Sequence, residues 1–267
     1  MSGVGYNSFR RYHMKILCGH PSGLMYTEIY LRLEPLGVEL VAQAALRAGH
    51  EVRILDLQVF SHKDYFKALD QWHPDAICFG LNYLANIPEV IDLAKEAKQS
   101  LPYSFFFLGG HGASFTAEEI PEHAQGTIEC VIRGEAELIE ALLSAAMDDR
   151  KRIHMLPGVV TRESEGPAPK MVDDLDRLTP AHDLLPKRRK YFIGSLDPSA
   201  SIEFTLKIPY CVLYERGYRS LGAKTTSQIS IEGVPAWEQD LENTEERAGR
   251  RQDKEKAMKR MRELGYI

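Results

Sequence analysis

The stretch "DAICFGLNYLANIPEVIDLAKEAKQSLPYSFFFLGG", residues 75–110, sets the fold class. It opens on a short apolar run, 75–81, and closes on another, 104–110. Between them, 87–100 has helical spacing, with Pro88 in the first turn, where its missing N–H costs nothing. Both runs are apolar almost throughout, as strands buried on two faces must be. The same unit recurs outward. Strands are expected at 14–18 ("MKILC"), 51–57 ("EVRILDL") and 128–134 ("IECVIRG"). Helices are expected at 35–49, ending on Gly49, and at 63–72, 116–124 and 135–146. Five strands alternating with helices predict an α/β, Rossmann-like (flavodoxin-like) domain over 14–147. Its five-stranded parallel sheet is expected in the order 2-1-3-4-5.

Composition narrows the partners. The 267 residues carry a net charge of −5 and a pI near 6.0, with 44% apolar residues. That excludes a nucleic-acid surface, which needs excess Lys and Arg, and it is enough apolar material for a core. No run of 18 or more apolar residues exists, so no membrane span is expected, and "MSGVGYNSFRRYH" lacks the apolar centre of a signal peptide. A cytoplasmic location is the expectation. Cys18, Cys78, Cys130 and Cys211 show no metal-binding spacing, and the first three read as buried reduced thiols.

Parallel sheets bind ligands at the carboxyl ends of their strands, where strand order reverses. The loops to inspect are therefore 19–34, 81–86 and 109–115. From 148 the alternation breaks. Residues 148–205 read as a linker with a small hairpin and an extended, Pro- and Gly-rich arm. Residues 206–267 form a smaller irregular and helical extension, with Ala257, Met258, Met261 and Leu264 on one helical side.

Several stretches together resemble the N-terminal part of the cobalamin-dependent radical-SAM methylases, in particular the hopanoid C-3 methylase family. They are "HPSGLMYTEIYLRLEPLGVELVAQAALRAGHEVRILDLQ", "NYLANIPEVIDLAKEAK", "LGGHGASFTAEEIPEHA", "CVIRGEAE" and "RRKYFIGSLDPSASIEFT", within residues 14–205. The resemblance implies a cobalamin-binding domain followed by the linker into a radical-SAM barrel. Cobalamin domains carry Asp-x-His-x-x-Gly after the first strand, Ser-x-Leu after the third and Gly-Gly after the fourth. Here Cys18 stands for the Asp, while His20 and Gly23 fit, with Pro21 and Ser22 between them. Asn82, Tyr83 and Leu84 fill the second position, with Asn86 nearby, and Gly109, Gly110 and His111 the third. The resemblance implies that these residues contact the cofactor. His20 is either the lower ligand of the cobalt or a histidine lining the pocket, and Cys18 deprives it of the carboxylate that usually orients such a ligand. Asn86 has a second reading as a helix cap, and Glu135 and Glu137 read as dipole-complementing residues at a helix start.

After Thr205 this resemblance ends. The barrel's C-x-x-x-C-x-x-C triad does not follow, only Cys211 does, and residues 206–267 are too few for a barrel. No iron–sulfur cluster is expected. "IPYCVLYERGYRSLGAKTTS" and "WEQDLENTEERAGRRQDKEKAMKRMRELGY" instead resemble the C-terminal end of the phosphoadenosine phosphosulfate reductase family, without its nucleotide loop. Arg216, Arg219 and Lys224 there are either anion contacts or a solvated basic turn. Whether the junction is a natural fusion, an engineered chimera or a faulty gene model stays open. The leading reading is a cobalamin-binding module that is not catalytic alone, with a radical-SAM partner in trans left open. The alternatives are a sulfonucleotide-type enzyme fragment and a flavodoxin-like binder of another ligand, such as FMN.

Overall fold

The computed structural model describes residues 13–24, 31–134, 136, 138–169 and 179–193, together with the backbone of 218–220 and 228–229. The sheet contains β1 (Lys15–His20), β3 (Glu51–Asp56), β4 (Ala76–Gly80), β5 (Phe105–Gly109), β6 (Cys130–Ile132) and β7 (Val159–Val160). Its order is β3-β1-β4-β5-β6-β7. The first five run parallel, in the 2-1-3-4-5 arrangement expected from the sequence. A sixth, antiparallel strand adds to the edge: β7 sets Val160 opposite Val131 and Val159 opposite Ile132. The two short strands β2 (Leu31–Arg32) and β8 (Phe192–Ile193) form a separate antiparallel ribbon. Another such pair joins β9 (Tyr218–Ser220) to β10 (Gln228–Ile229).

The helices follow from their residues. Helix α1 (Leu36–Arg47) is followed by Gly49 at φ +90°, a conformation that only glycine adopts readily. Helix α2 (His62–Trp72) begins in a capping box in which the Ser61 hydroxyl and the Asp64 carboxylate each satisfy the other's backbone N–H. Helix α3 (Ile87–Ser100) carries Pro88 in its first turn. The helix expected at 116–124 is present but shorter, as α5 (Glu119–His123), and a further short helix, α4 (His111–Phe115), precedes it. Helix α6 (Leu138–Asp148) packs against α1.

Alternate residues of each strand enter opposite layers of core. Ile16, Cys18, Cys78, Phe105, Phe107 and Cys130 pack with Val38, Ala42, Ala45 and Leu142 of α1 and α6. Leu17, Ile77, Phe79, Phe106, Leu108 and Val131 pack with Tyr65, Leu69 and Trp72 of α2 and with Val90 and Ala94 of α3. Cys18, Cys78 and Cys130 are buried and free, as expected. The hydrogen bond with Cys78, then burial, pushes the Cys18 thiol up, and burial does the same to Cys130.

The α1–α6 layer does not stop at residue 147. Ile153 and Val159 belong to it, and so do Ala181, Leu185 and Tyr191 from the arm. Described residues of the segment read as linker thus contribute to the core, the last of them Tyr191. The expected readings at Glu135, Glu137 and Cys211, at the helix near 254–264, and at the side chains of Arg216, Arg219 and Lys224 lie outside the described residues.

Candidate functional site

Strands β1, β4 and β5 are neighbours, and β1 and β4 lie where the sequence order reverses. Their carboxyl ends bring the three loops singled out by sequence to one edge of the sheet.

His20 ends β1 and is buried. In the parallel register it faces Asp56, the last residue of β3. His20 Nδ1 lies 3.3 Å from Asp56 Oδ1 and 3.0 Å from the Pro21 carbonyl oxygen. Both neighbours are acceptors, which assigns the proton of a neutral ring to Nδ1 and the lone pair to Nε2. Among the described residues Nε2 has no hydrogen-bond partner. The expectation that Cys18 leaves His20 without an orienting carboxylate is therefore overturned: Asp56 supplies it from the adjacent strand. Asp56 is wholly buried and saturated. It accepts from the Tyr191 hydroxyl (2.7 Å), the Gln58 backbone N–H (2.8 Å) and Gln58 Nε2 (3.1 Å). Burial, and then the Asp56 charge, push the Tyr191 hydroxyl far up, so it stays a neutral donor.

Ser22 and Asn86 are committed to the protein. The Glu89 carboxylate in the first turn of α3 accepts from Ser22 N–H (3.1 Å) and Asn86 Nδ2 (3.2 Å), and lies 2.7 Å from His62 Nε2. Asn86 Nδ2 also donates to the Ser22 carbonyl (3.0 Å). This knot fastens the β1 loop, Pro21 to Gly23, to α3. Asn86 precedes α3 but makes no side-chain cap bond.

The other two loops close on each other. Leu81 N–H donates to the Gly109 carbonyl, and Gly112 N–H to the Leu81 carbonyl, each at 2.8 Å. Gly110 sits at φ +99°, and a Cβ there would lie 2.7 Å from Leu81 O. Its lack of a side chain thus serves loop-to-loop contact. Gly109 differs: a Cβ would meet nothing closer than Ile132 O at 4.0 Å, so its face is open. Asn82, Tyr83 and His111 are exposed and Leu84 is half-buried. The His111 ring meets Phe115 edge-on at 4.7 Å.

Sequence reasoning missed Asp56, Glu89 and Tyr191. Asp56 was legible in principle, because it lies near the end of the apolar run 51–57, expected beside 14–18, and His20 follows the latter run by two residues. Tyr191 carried no such signal.

Comparison with known proteins gives three findings. Residues 23–143 match the family model "B12 binding domain". Hopanoid C-3 methylase of Methylococcus capsulatus is 52% identical over 218 residues, 79% of this chain and 42% of the relative. The anaerobic magnesium-protoporphyrin IX monomethyl ester cyclase of Synechocystis is 24% identical over 197 residues, 70% of this chain and 39% of the relative. The chain thus spans less than half the length of either. Among solved structures, the cobalamin-dependent S-adenosylmethionine radical enzyme OxsB superposes with a TM-score of 0.54 at 16% identity, over 65% of this chain and 25% of that one. That likeness shows the fold. No helix among the described residues is long and apolar enough to cross a membrane.

Proposed function

We propose, from the match of residues 23–143 to the B12 binding domain family model, that the chain holds cobalamin at the carboxyl edge of its sheet. The observation that carries the reading is the His20–Asp56–Tyr191 chain, which leaves one imidazole lone pair unengaged beside the loops. The residues fit the cofactor in two further respects. The open face at Gly109 admits close approach of a ligand to backbone, and exposed Asn82 and Tyr83 offer hydrogen-bonding groups for its amides. His111 stands at the same edge. Pro21, Ser22, Gly23 and Asn86 hold the β1 loop in place, and half-buried Leu84 packs against the core layer of α2 and α3.

Cobalamin supplies a cobalt centre able to carry a methyl group. What this chain supplies is position. Asp56 orients His20 and favours the tautomer with Nε2 unprotonated, the form in which imidazole ligates metals. Tyr191 and Gln58 hold Asp56. Methylation by a radical-SAM route also needs a unit that cleaves S-adenosylmethionine, and the described residues build none. The chain is then read as the cobalamin module of a methylase system. Its residues after Thr205 contain one cysteine, Cys211, against the three thiolates a cluster-binding triad requires.

Mixing the full chain with hydroxocobalamin and desalting is expected to leave about one coloured equivalent per protein. Colourless protein would sink the proposal. His20→Ala and Asp56→Asn are each expected to change the visible spectrum of the bound cofactor, whereas unchanged spectra in both rule out ligation by His20. A second expectation is that anaerobic reconstitution with iron and sulfide leaves only background iron; stoichiometric iron would contradict it.

A further inference from the structure

A second group of ligating side chains lies beneath the arm, outside the loops described above. Glu34 sits just before α1 and Glu39 in its first turn. His182 lies in the short turn His182–Leu184 of the arm, held there by the Ala181 N–H bond to the Glu39 carbonyl (3.1 Å). One ligand atom from each of Glu34, Glu39 and His182 falls within 4.8 Å of the other two.

The independent observation is the state of Glu39. Its side chain is completely buried, and neither carboxylate oxygen has a hydrogen-bond partner. His182 Nδ1 approaches Glu39 Oε2 to 2.5 Å, yet the two atoms are not aligned as donor and acceptor. A buried carboxylate without hydrogen bonds costs several kcal/mol unless something neutralises it. A cation between the lone pairs satisfies Glu39 and His182, with the Glu34 carboxylate alongside.

We propose that Glu34, Glu39 and His182 form a binding site for a divalent transition-metal ion of the zinc type. Two carboxylate oxygens and one imidazole nitrogen match the ligand preferences of Zn2+ and of its harder neighbour Mn2+. The imidazole argues against Mg2+, which takes oxygen ligands. Arg188 Nε stands 3.3 Å from Glu34 Oε1 and orients that carboxylate from outside the site. The His182 side chain is 36% exposed, while its Nδ1 and both Glu39 oxygens are buried, so the ligand atoms face inward from a partly open edge. The site joins α1 to the arm that carries Tyr191, so a bound ion would clip the arm to the domain.

The test uses the untagged full chain, free of cobalamin and stripped with a chelator, titrated calorimetrically with ZnCl2 and separately with MnCl2. One equivalent of Zn2+ or Mn2+ is expected to bind and to raise the thermal midpoint. Glu39→Gln and His182→Asn are each expected to weaken that binding by about tenfold or more, and to remove the midpoint shift. No binding of either ion overturns the proposal. So does binding that survives either substitution, because the ion then sits on other surface groups. If Glu39→Gln fails to fold, His182→Asn decides alone, since its side chain is partly in solvent. The result is independent of whether the protein takes up cobalamin.

Discussion

Ending the chain after Met147 is expected to abolish cooperative unfolding of the sheet domain. The alternation of strands and helices in the sequence suggested that 14–147 stands alone. The structure puts Ile153, Val159, Leu185 and Tyr191 into the same core layer as α1 and α6, with Val160 in the opposite layer. Each such side chain contributes about 1.5–3 kcal/mol when buried. Together they rival the roughly 5–15 kcal/mol by which a domain is stable at all. The truncation also bares the edge of β6, which β7 covers, and takes the Tyr191 hydroxyl from buried Asp56. The comparison is a chain ending near residue 193, which retains all of these contacts. Circular dichroism melts should show a sigmoidal transition for the longer chain and a broad, weak one, or insolubility, for the shorter. Equal, cooperative melts would show that residues 148–193 are dispensable to the core.

Gly110→Ala is expected to be the most damaging single methyl group at the candidate site. A side chain at φ +99° is strained, at about 1–3 kcal/mol. Its Cβ would also lie 2.7 Å from Leu81 O and 2.9 Å from Leu81 N, both backbone atoms with little room to move, and overpacking of this kind adds about 1–3 kcal/mol. Gly126→Ala separates the two effects. It has φ +82° but nothing within 4 Å of the added atom, so only the strain applies. Urea unfolding should therefore place Gly110→Ala well below Gly126→Ala, and cobalamin retention should fall with it as the β4 and β5 loops are forced apart. Equal losses at the two positions would mean that the loop contact yields freely. Gly109→Ala completes the set: its site is open, so stability should hold while cobalamin retention falls.

The legible and illegible parts of this molecule divide along a physical line. Strands β1, β3, β4, β5 and β6 were readable because burial on both faces writes a continuous apolar run into each. Helices α1, α2 and α3 were readable from spacing and from Gly49 and Pro88. β7 was not readable as part of the sheet, because two valines in a turn-rich stretch carry no periodicity, and the pairing with Val131 and Ile132 is decided by tertiary packing. The same holds at the site. His20, Asn82 and Gly109 were singled out through the resemblance to cobalamin-domain motifs along the chain. Asp56 and Tyr191 meet His20 only through strand register and the return of the arm, and spacing along the chain does not encode such contacts. Ser22 and Asn86 were legible as loop residues near the edge, but their engagement with Glu89 depends on where α3 lies against the β1 loop.

The placement of Tyr191 also orders events at the ribosome. His20 and Asp56 belong to adjacent strands made early, whereas the hydroxyl that completes Asp56 is synthesised much later. At roughly 5–20 residues per second, the stretch from Asp148 to Tyr191 takes roughly 2–9 s to emerge. For that interval a nascent sheet holds a buried carboxylate lacking one of its donors, beside a core layer still missing Leu185 and Tyr191. The domain therefore matures from its far end, and a pause or frameshift shortly after residue 147 leaves a nearly complete sheet as a substrate for chaperones and proteases rather than a folded domain.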